Sequence, residues 1–360
     1  YYGLAIGLSV VAGGHASGRA SGGLLNPAVA LGIFVPEQII PGVDDMTKEV
    51  ACLVVDVAAE IVGALLAVGM FRLVRPEEFT DEEEPEPGFL QRMSAELLGT
   101  FYLVFTLMNV IYSEDKIGCW PVAACLASLV YSLGSVSGAH FNPAVTLALR
   151  LRGVVVPSMA MYPLAQVVGS ICGACMARCI YTESVLDNQS FYGTGAKGTG
   201  FQSMTRGVDA EMFFTFLLVF VVVCIATVPG KDLRDMVGLT VGACVVAAGT
   251  AVGRTSGAHL NPAVTIGLMT VNLIFHGGTS QLLLPLLWIV SQLIGTVCAV
   301  AVSRISYPAK LSEEEALLPG GEPDDMGYAA AKLASIPPMA MQAAATSTRK
   351  SFAAPSGAEP

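Results

Sequence analysis

The sequence contains Ser137-Gly-Ala-His-Phe-Asn-Pro-Ala-Val145, a nine-residue stretch that occurs three times with small changes. The other copies are Ser21-Gly-Gly-Leu-Leu-Asn-Pro-Ala-Val29 and Ser256-Gly-Ala-His-Leu-Asn-Pro-Ala-Val264. Each copy follows an apolar run and precedes a second apolar segment of about 10 residues, which is too short to cross a bilayer. Repetition at this length indicates that the chain is built from repeated structural units.

The composition indicates a polytopic membrane protein. Hydrophobic residues make up 53% of the 360 residues and charged residues only 13%, which leaves too few charges to cover a soluble surface. Residues 1–14 are predicted to be part of a spanning helix whose beginning lies before the given sequence. Seven further apolar runs are long enough to span a bilayer, at about 50–71, 95–112, 118–136, 157–181, 208–229, 236–252 and 281–303.

The net charge of −10 belongs to two short acidic segments. Seven acids and no base lie in residues 76–88, and six acids and no base lie in 311–325. The rest of the chain has no basic patch on which nucleic acid could bind, so we expect no nucleic-acid partner. Residues 76–88 are predicted to be a solvated, unpacked linker, and residues 308–360 a disordered tail.

The repeats define two units. Gly18-Arg19 and Gly253-Arg254 stand at the same distance before their asparagines, whereas the middle copy has Gly134-Ser135 there. A second matching element follows each copy: Glu60-Ile-Val-Gly63, Gln166-Val-Val-Gly169 and Gln292-Leu-Ile-Gly295. Residues 1–75, the partial unit, are therefore predicted to be a second half-repeat alone. Residues 89–307, the complete unit, are predicted to hold a first and then a second half-repeat.

Asn-Pro-Ala at the head of an apolar segment predicts the start of a helix. The asparagine side chain can cap the helix, and proline suits the first helical position because it has no N–H to satisfy. A helix of about 10 residues enters the membrane only halfway, which is tolerated where broken backbone lines a watery cavity. The motifs are Asn142, Pro143 and Ala144, then Asn261, Pro262 and Ala263, and in the partial unit Asn26, Pro27 and Ala28.

Two such half-helices that meet at the midplane predict a selective channel. Each N-terminus would present about half a unit of positive charge, which repels cations. Asn142 and Asn261 would donate hydrogen bonds to a passing neutral solute. Backbone carbonyls of the preceding extended segments, 137–141 and 256–260, would accept hydrogen bonds from the same solute.

These motifs make the complete unit resemble the aquaporin, or major intrinsic protein, family. Ala95-Glu-Leu-Leu-Gly-Thr100 also resembles the family's first-helix signature, and Glu211 heads the corresponding fourth helix. The resemblance implies an all-α fold, a right-handed bundle of six spanning helices with two re-entrant half-helices. It also implies a homotetramer in the membrane lipids, with one pore for small neutral solutes in each protomer. The partial unit resembles the last third of another such unit.

The resemblance places an outer filter at Val122, Gly249, Ala258 and Val264. Family members usually have arginine where Val264 stands, and water-selective members tend to have an aromatic residue at Val122 and histidine at Gly249. We therefore expect a wide filter without arginine that admits glycerol or urea as well as water. Arg254 is the nearest base, and the sequence leaves its position open.

The resemblance also assigns a structural role to four polar residues, Glu96, Glu211, His140 and His259. The two glutamates would accept hydrogen bonds from backbone N–H groups of the re-entrant loops; the alternative is a proton relay. The two histidines would be structural parts of the loops; the alternative is gating by protonation.

The sequence predicts neither catalysis nor a metal or cofactor. It has no nucleophile–base signature and no glycine loop for phosphate. Cys172, Cys175 and Cys179 share one helix face but lack partners for a metal site, so we expect them to pack as small hydrophobic residues.

Three function classes remain. A passive channel is favoured over a secondary transporter that uses broken helices and over a non-conducting membrane scaffold. Transporters usually need ionisable residues at the midplane, which are sparse in the complete unit.

Nine lysines and arginines lie near span ends on one side and six on the other. This excess predicts a cytoplasmic linker and C-terminal tail.

Overall fold

The computed structural model describes residues 2–39, 46–79, 86–113, 118–181, 201–227, 236–276 and 282–307. Every regular element in these ranges is a helix, as predicted. The predicted disordered tail, 308–360, lies outside the described residues. The helices are α1 (Tyr2–Ser21), α2 (Pro27–Ile39), α3 (Met46–Val74), α4 (Phe89–Ser113), α5 (Trp120–Ser137), α6 (Pro143–Arg152), α7 (Tyr162–Ile180), α8 (Phe201–Thr227), α9 (Val237–Ser256), α10 (Pro262–His276) and α11 (Leu283–Ser306), with 3-10 turns at Pro76–Phe79 and Met159–Met161.

Seven helices of the described chain are long and apolar enough to cross a membrane. One is α3 of the partial unit, and the other six, α4, α5, α7, α8, α9 and α11, belong to the complete unit. The predicted six spans of the complete unit are therefore confirmed. Helix α1 has 20 residues but falls outside this set. Its second half carries His15, Ser17 and Arg19, which lower its hydropathy.

The three short helices begin at the prolines of the Asn-Pro-Ala motifs, as predicted. Helix α6 has the expected 10 residues, whereas α2 has 13 and α10 has 15. At 1.5 Å per residue, even α10 is only about 22 Å long, shorter than the roughly 30 Å hydrocarbon core.

The spanning helices of the complete unit approach one another through glycines. A Cβ atom added at Gly169 of α7 would lie 2.3 Å from the Leu97 carbonyl oxygen of α4. The equivalent Gly295 of α11 stands in the same relation to Met212 of α8, also at 2.3 Å. The two half-repeats therefore pack alike, with backbone against backbone.

The partial unit lies against the outside of the complete unit. Helix α1 packs on α5 and α4, α2 packs on α3, and α3 touches α4. The apolar window of α3 has none of its residues buried. This helix therefore presents most of its surface outward, as expected of a helix that faces lipid.

The two described ends of the predicted linker each contact an arginine. Phe79 packs under the Arg72 guanidinium, which lies 4.9 Å from the ring centroid. Arg92 of α4 pairs with Glu86 at 3.5 Å. Phe79 and Glu86 both remain exposed in these contacts, so the solvated linker stays a prediction. Residues 80–85 lie outside the described residues.

Candidate functional site

The N-termini of α6 and α10 meet inside the complete unit. Asn142 Oδ1 and Asn261 Oδ1 each accept a hydrogen bond, 2.9 Å long, from the backbone N–H two residues later. Asn142 Nδ2 donates to the Leu260 carbonyl at 2.9 Å, and Asn261 Nδ2 donates to the Phe141 carbonyl at 2.8 Å. Each asparagine thus caps its own helix and binds the loop that precedes the other one.

The loops before the half-helices are not extended throughout, which corrects the expectation for 137–141 and 256–260. Ala139 and Phe141 have φ of 51° and 49°, and Ala258 and Leu260 have φ of 50° and 54°. Residues other than glycine rarely adopt this left-handed region. Each one that does so lowers the stability of the fold by about 1–3 kcal/mol, so surrounding contacts must hold it there.

Glu96 supplies these contacts in the first half-repeat. Its side chain is fully buried. Oε1 accepts hydrogen bonds from Ser137 Oγ at 2.6 Å and from the His140 backbone N–H at 2.9 Å. Oε2 accepts them from the Phe141 N–H at 2.8 Å and from Gln166 Nε2 at 2.7 Å. The four donors fill the acceptor positions of one carboxylate.

Glu211 repeats this arrangement in the second half-repeat. Oε1 accepts from Ser256 Oγ at 2.6 Å and from the His259 N–H at 2.9 Å. Oε2 accepts from the Leu260 N–H and from Gln292 Nε2, both at 2.8 Å. Both re-entrant loops are therefore held by a buried carboxylate on the preceding first helix of their half-repeat.

The two loop histidines are buried and also have equivalent contacts. His140 Nδ1 lies 3.1 Å from Thr146 Oγ1, and His259 Nδ1 lies 3.1 Å from Thr265 Oγ1. These bonds join each loop to the first turn of the half-helix that follows it.

A cavity of about 160 Å³ is lined by both asparagines. Its wall is mostly apolar and draws on equivalent positions of the two half-repeats. Three such pairs are Leu103 with Leu218, Val122 with Val241, and Leu126 with Val245. The few polar groups are concentrated at the loops, where the two half-helices begin.

The four residues of the expected outer filter, Val122, Gly249, Ala258 and Val264, line this same cavity. Cys119, which the sequence analysis missed, lines it too. A Cβ atom added at Gly249 would lie only 2.4 Å from Cys119 Cβ, so the cysteine occupies part of the space beside the glycine. No sequence signal connects residues this far apart. Arg254 is exposed on α9 and does not line the cavity.

The partial unit keeps the cap but not the surrounding polar residues. Asn26 Oδ1 accepts from the Ala28 N–H at 2.9 Å, yet Asn26 is exposed. The positions equivalent to the loop histidine, the threonine and the glutamine hold Leu24, Ala30 and Glu60. The motif at Asn26 is therefore not brought to the cavity.

The cysteines of α7 follow the prediction in part. Cys175 is partly buried and packs against the hydrophobic core, whereas Cys172 and Cys179 are exposed. Among the described residues, no group of three or more His, Cys, Asp or Glu could hold a metal ion.

Comparisons with known proteins extend these observations. The family model described as Major intrinsic protein matches residues 2–119, 111–249 and 232–336, so the chain holds more than one unit. Aquaporin NIP1-3 of Oryza sativa subsp. japonica is 36% identical over 191 residues, which cover 50% of this chain and 63% of that protein, less than two thirds of its length. Aquaporin NIP1-2 of Arabidopsis thaliana is 34% identical over 238 residues, 62% of this chain and 76% of that protein.

A solved structure supports the fold. The aquaglyceroporin from Plasmodium falciparum superposes with a TM-score of 0.53 at 19% identity, over 61% of this chain and 98% of that one. One family model matches most of the sequence, and the described chain is all-helical. The chain therefore belongs to the major intrinsic protein family.

Proposed function

We propose that the complete unit is a passive channel for water and small neutral solutes, such as glycerol or urea. The observation that carries this proposal is the meeting of two asparagine-capped half-helices at one cavity. Each Nδ2 group has two hydrogens and uses one for the opposite loop, so the other can donate to a solute. The two helix N-termini add about half a positive charge each, which disfavours cations.

The apolar wall agrees with neutral cargo. An ion that enters must give up part of its hydration shell, and valine and leucine side chains supply nothing in exchange. Water and small polyols need only a few well-placed donors and acceptors, which the asparagines and loop carbonyls offer. Members of the major intrinsic protein family named aquaporins are channels, not enzymes, in line with the predicted absence of catalysis.

No specific observation favours the other two function classes. A transporter would need a midplane carboxylate that is free to exchange protons or ions. Glu96 and Glu211 each already accept four hydrogen bonds, which supports a role in holding the loops. We assign His140 and His259 the same supporting role, since both bind a half-helix threonine.

The outer filter is proposed to be wide and to lack a charge. Val122, Gly249, Ala258 and Val264 are small or apolar, and Arg254 points elsewhere. A fixed guanidinium would add a charge barrier and several donors. Val264→Arg should therefore lower glycerol and urea flux more than water flux. Val264→Met, of similar length but uncharged, is the control. A wild-type protein that passes water but rejects both solutes would refute the wide filter.

The arrangement in the membrane is proposed from the charge distribution and the family resemblance. The excess of lysine and arginine supports a cytoplasmic linker and tail. A cysteine introduced in the linker should then be protected, in intact cells, from a reagent that cannot cross the membrane. The resemblance supports a homotetramer, which the mass of the purified particle would test.

The experiment that tests the channel measures swelling and shrinking of liposomes that contain the purified full chain, with water, glycerol and urea. Asn142→Leu and Asn261→Leu each remove the solute donor, and a cap worth about 1 kcal/mol. Both should lower permeability per folded protein, as judged by thermal unfolding. Asn26→Leu makes the same change in the partial unit and should have no effect. Unchanged permeability in both pore variants would mean that the path avoids these residues, and an inert wild-type protein would favour the scaffold.

A further inference from the structure

The cavity has an inner mouth, the end that is lined by Leu149, Ala226 and Val237. Leu149 lies near the end of α6, Ala226 is the penultimate residue of α8, and Val237 begins α9. Ala226 is exposed and also lines the cavity, so the cavity reaches the surface of the protein there. These three side chains give the inner mouth an apolar rim.

The cavity face of α6 leads to an arginine. Asn142, Val145 and Leu149 line the cavity at successive spacings of three and four residues, and Arg152 follows three residues after Leu149. Residues at these spacings share one face of a helix. Arg152 therefore continues the cavity wall at the inner mouth.

Helix α11 brings a second arginine to the same place, because α6 packs against both α8 and α11. Arg152 Nη2 donates to the carbonyl of Tyr307, just after α11, and Arg304 Nη2 of α11 donates to the carbonyl of Leu151. The two arginines thus cross between the ends of α6 and α11. Arg150, exposed on α6, adds a third positive charge beside them.

The charge of these three arginines is not balanced within the part of the chain that the structure describes. There, no ion pair joins Arg150, Arg152 or Arg304 to a carboxylate, and the buried Nε of Arg152 has no hydrogen-bond partner. Arginine at the end of a helix is partly explained by the negative end of the helix dipole. A guanidinium has five N–H donors, however, and the bonds to the carbonyls use only one on each side chain. The three arginines are therefore suited to bind carboxylates.

The tail of the same chain carries carboxylates within reach. Glu313-Glu-Glu-Ala-Leu-Leu318 begins six residues after Tyr307 and lies outside the described residues. Six residues extend over at most about 20 Å, and a helix is about 10–12 Å across. The glutamates can therefore reach the ends of both α6 and α11. Because the segment is tethered, its local concentration is on the order of millimolar, and weak contacts are enough to hold it.

The acids of the linker are the other source of carboxylates, but its described ends pair elsewhere. Arg75 Nη1 lies 4.0 Å from carboxylate oxygens of Glu77 and Glu78, and Arg92 Nη2 lies 3.5 Å from a carboxylate oxygen of Glu86. The tail, by contrast, begins where Arg152 binds the carbonyl of Tyr307. Position and charge together favour the tail as the occupant of the inner mouth.

We propose that residues 313–318 dock on the inner mouth. The three glutamates pair with Arg150, Arg152 and Arg304, and the two leucines that follow cover the apolar rim. In this position the segment closes the cavity at one end and lowers the flux. The closure rests on the proposed channel function, whereas the docking does not. Because the ion pairs lie at the surface, salt weakens them.

The docking is tested in the purified full chain with a carbodiimide, which couples a carboxylate to an amine held beside it. Arg150→Lys supplies the amine and keeps the charge of an exposed residue, so the fold should be preserved. Mass spectrometry of the peptides should find cross-links from position 150 to Glu313–Glu315. Arg72→Lys, the same change at an exposed arginine of α3, is the control and should give no cross-link to these glutamates.

Two results would overturn the docking. The first is a position 150 that forms no cross-link, or forms one only with Glu82–Glu84 of the linker or with the later acids of the tail. The second is a cross-link that forms in detergent but is lost in vesicles containing phosphatidylserine. That loss would show that anionic lipid headgroups hold the arginines instead.

The closure is tested by liposome swelling, with Glu313→Gln, Glu314→Gln and Glu315→Gln combined in one variant. If the segment is docked for half of the time or more, its release should raise water permeability per folded protein about twofold or more. High salt should raise the permeability of the wild-type protein in the same way and add little in the variant. Glu322→Gln, Asp324→Asn and Asp325→Asn together remove the same charge farther along the tail and should change nothing.

The two measurements separate the possible failures. An equal rise in the control variant would refute the assignment to Glu313–Glu315. A cross-link without any change in flux would refute the closure and leave the docking in place. If the wild-type protein and both variants are inert, the proposed channel fails, and the cross-link still decides whether the tail docks.

Discussion

At Gly249, the absence of a side chain lets α9 lie against Cys119. A Cβ atom there would be 2.4 Å from Cys119 Cβ, which no flexible side-chain end can relieve. Gly249→Ala should therefore destabilise the protein by about 1–3 kcal/mol, the usual cost of overpacking. Gly253→Ala, on the same helix with nothing within 4 Å, should be neutral or stabilising, because alanine favours helix. Thermal unfolding in detergent measures both, and equal stability of the two variants would contradict the close contact.

Cys119 also offers a chemical probe of the proposed filter. Burial raises the pKa of its thiol, and only the thiolate is reactive. The thiol is protonated below its pKa, so modification by N-ethylmaleimide should be slow near neutral pH. Its rate should keep rising above about pH 8.5, where an exposed thiol begins to level off. The measured quantity is glycerol flux after timed exposure. Cys119→Ser should resist the reagent, and an identical loss in that variant would point to another cysteine.

At the scale of elements, α4 and α7 approach closely because α7 has a glycine, Gly169, where the two helices meet. Gly169 lies against the Leu97 carbonyl, whereas the equivalent Gly63 of α3 has nothing within 4 Å. Gly169→Ala should push α7 away from α4, at a cost of about 1–3 kcal/mol. Gly63→Ala should leave the unfolding temperature unchanged, since α3 faces outward. A comparable loss in both variants would mean that α3 has a packed partner.

At the scale of the whole molecule, every cavity-lining residue lies between Leu103 and Val264. Deletion of residues 1–88 removes none of them, so permeability per folded protein should be preserved. Liposome flux, divided by the amount of folded protein, measures this effect. Loss of flux in a truncated protein that still assembles would place the partial unit in the pore.

Apolar runs and repetition in the sequence predicted the membrane spans and the short helices that begin at Asn-Pro-Ala, and the family resemblance implied the all-α bundle of six spans. These features are local, because they depend on runs of apolar residues and on the capping chemistry of asparagine and proline. Repetition also showed which residues are equivalent. The resemblance to the aquaporin family placed Glu96 and Glu211 at corresponding helix positions.

Other features depended on contacts between residues far apart in the chain. Cys119 lines the cavity because α5 begins beside Gly249 of α9. The left-handed loop residues persist because buried carboxylates on other helices hold them. Equivalent helices also have different surroundings: α9 packs within the complete unit, whereas α1, its counterpart in the partial unit, packs on the outside of the complete unit. Periodicity marks a helix as apolar, but only three-dimensional packing selects which face meets which neighbour.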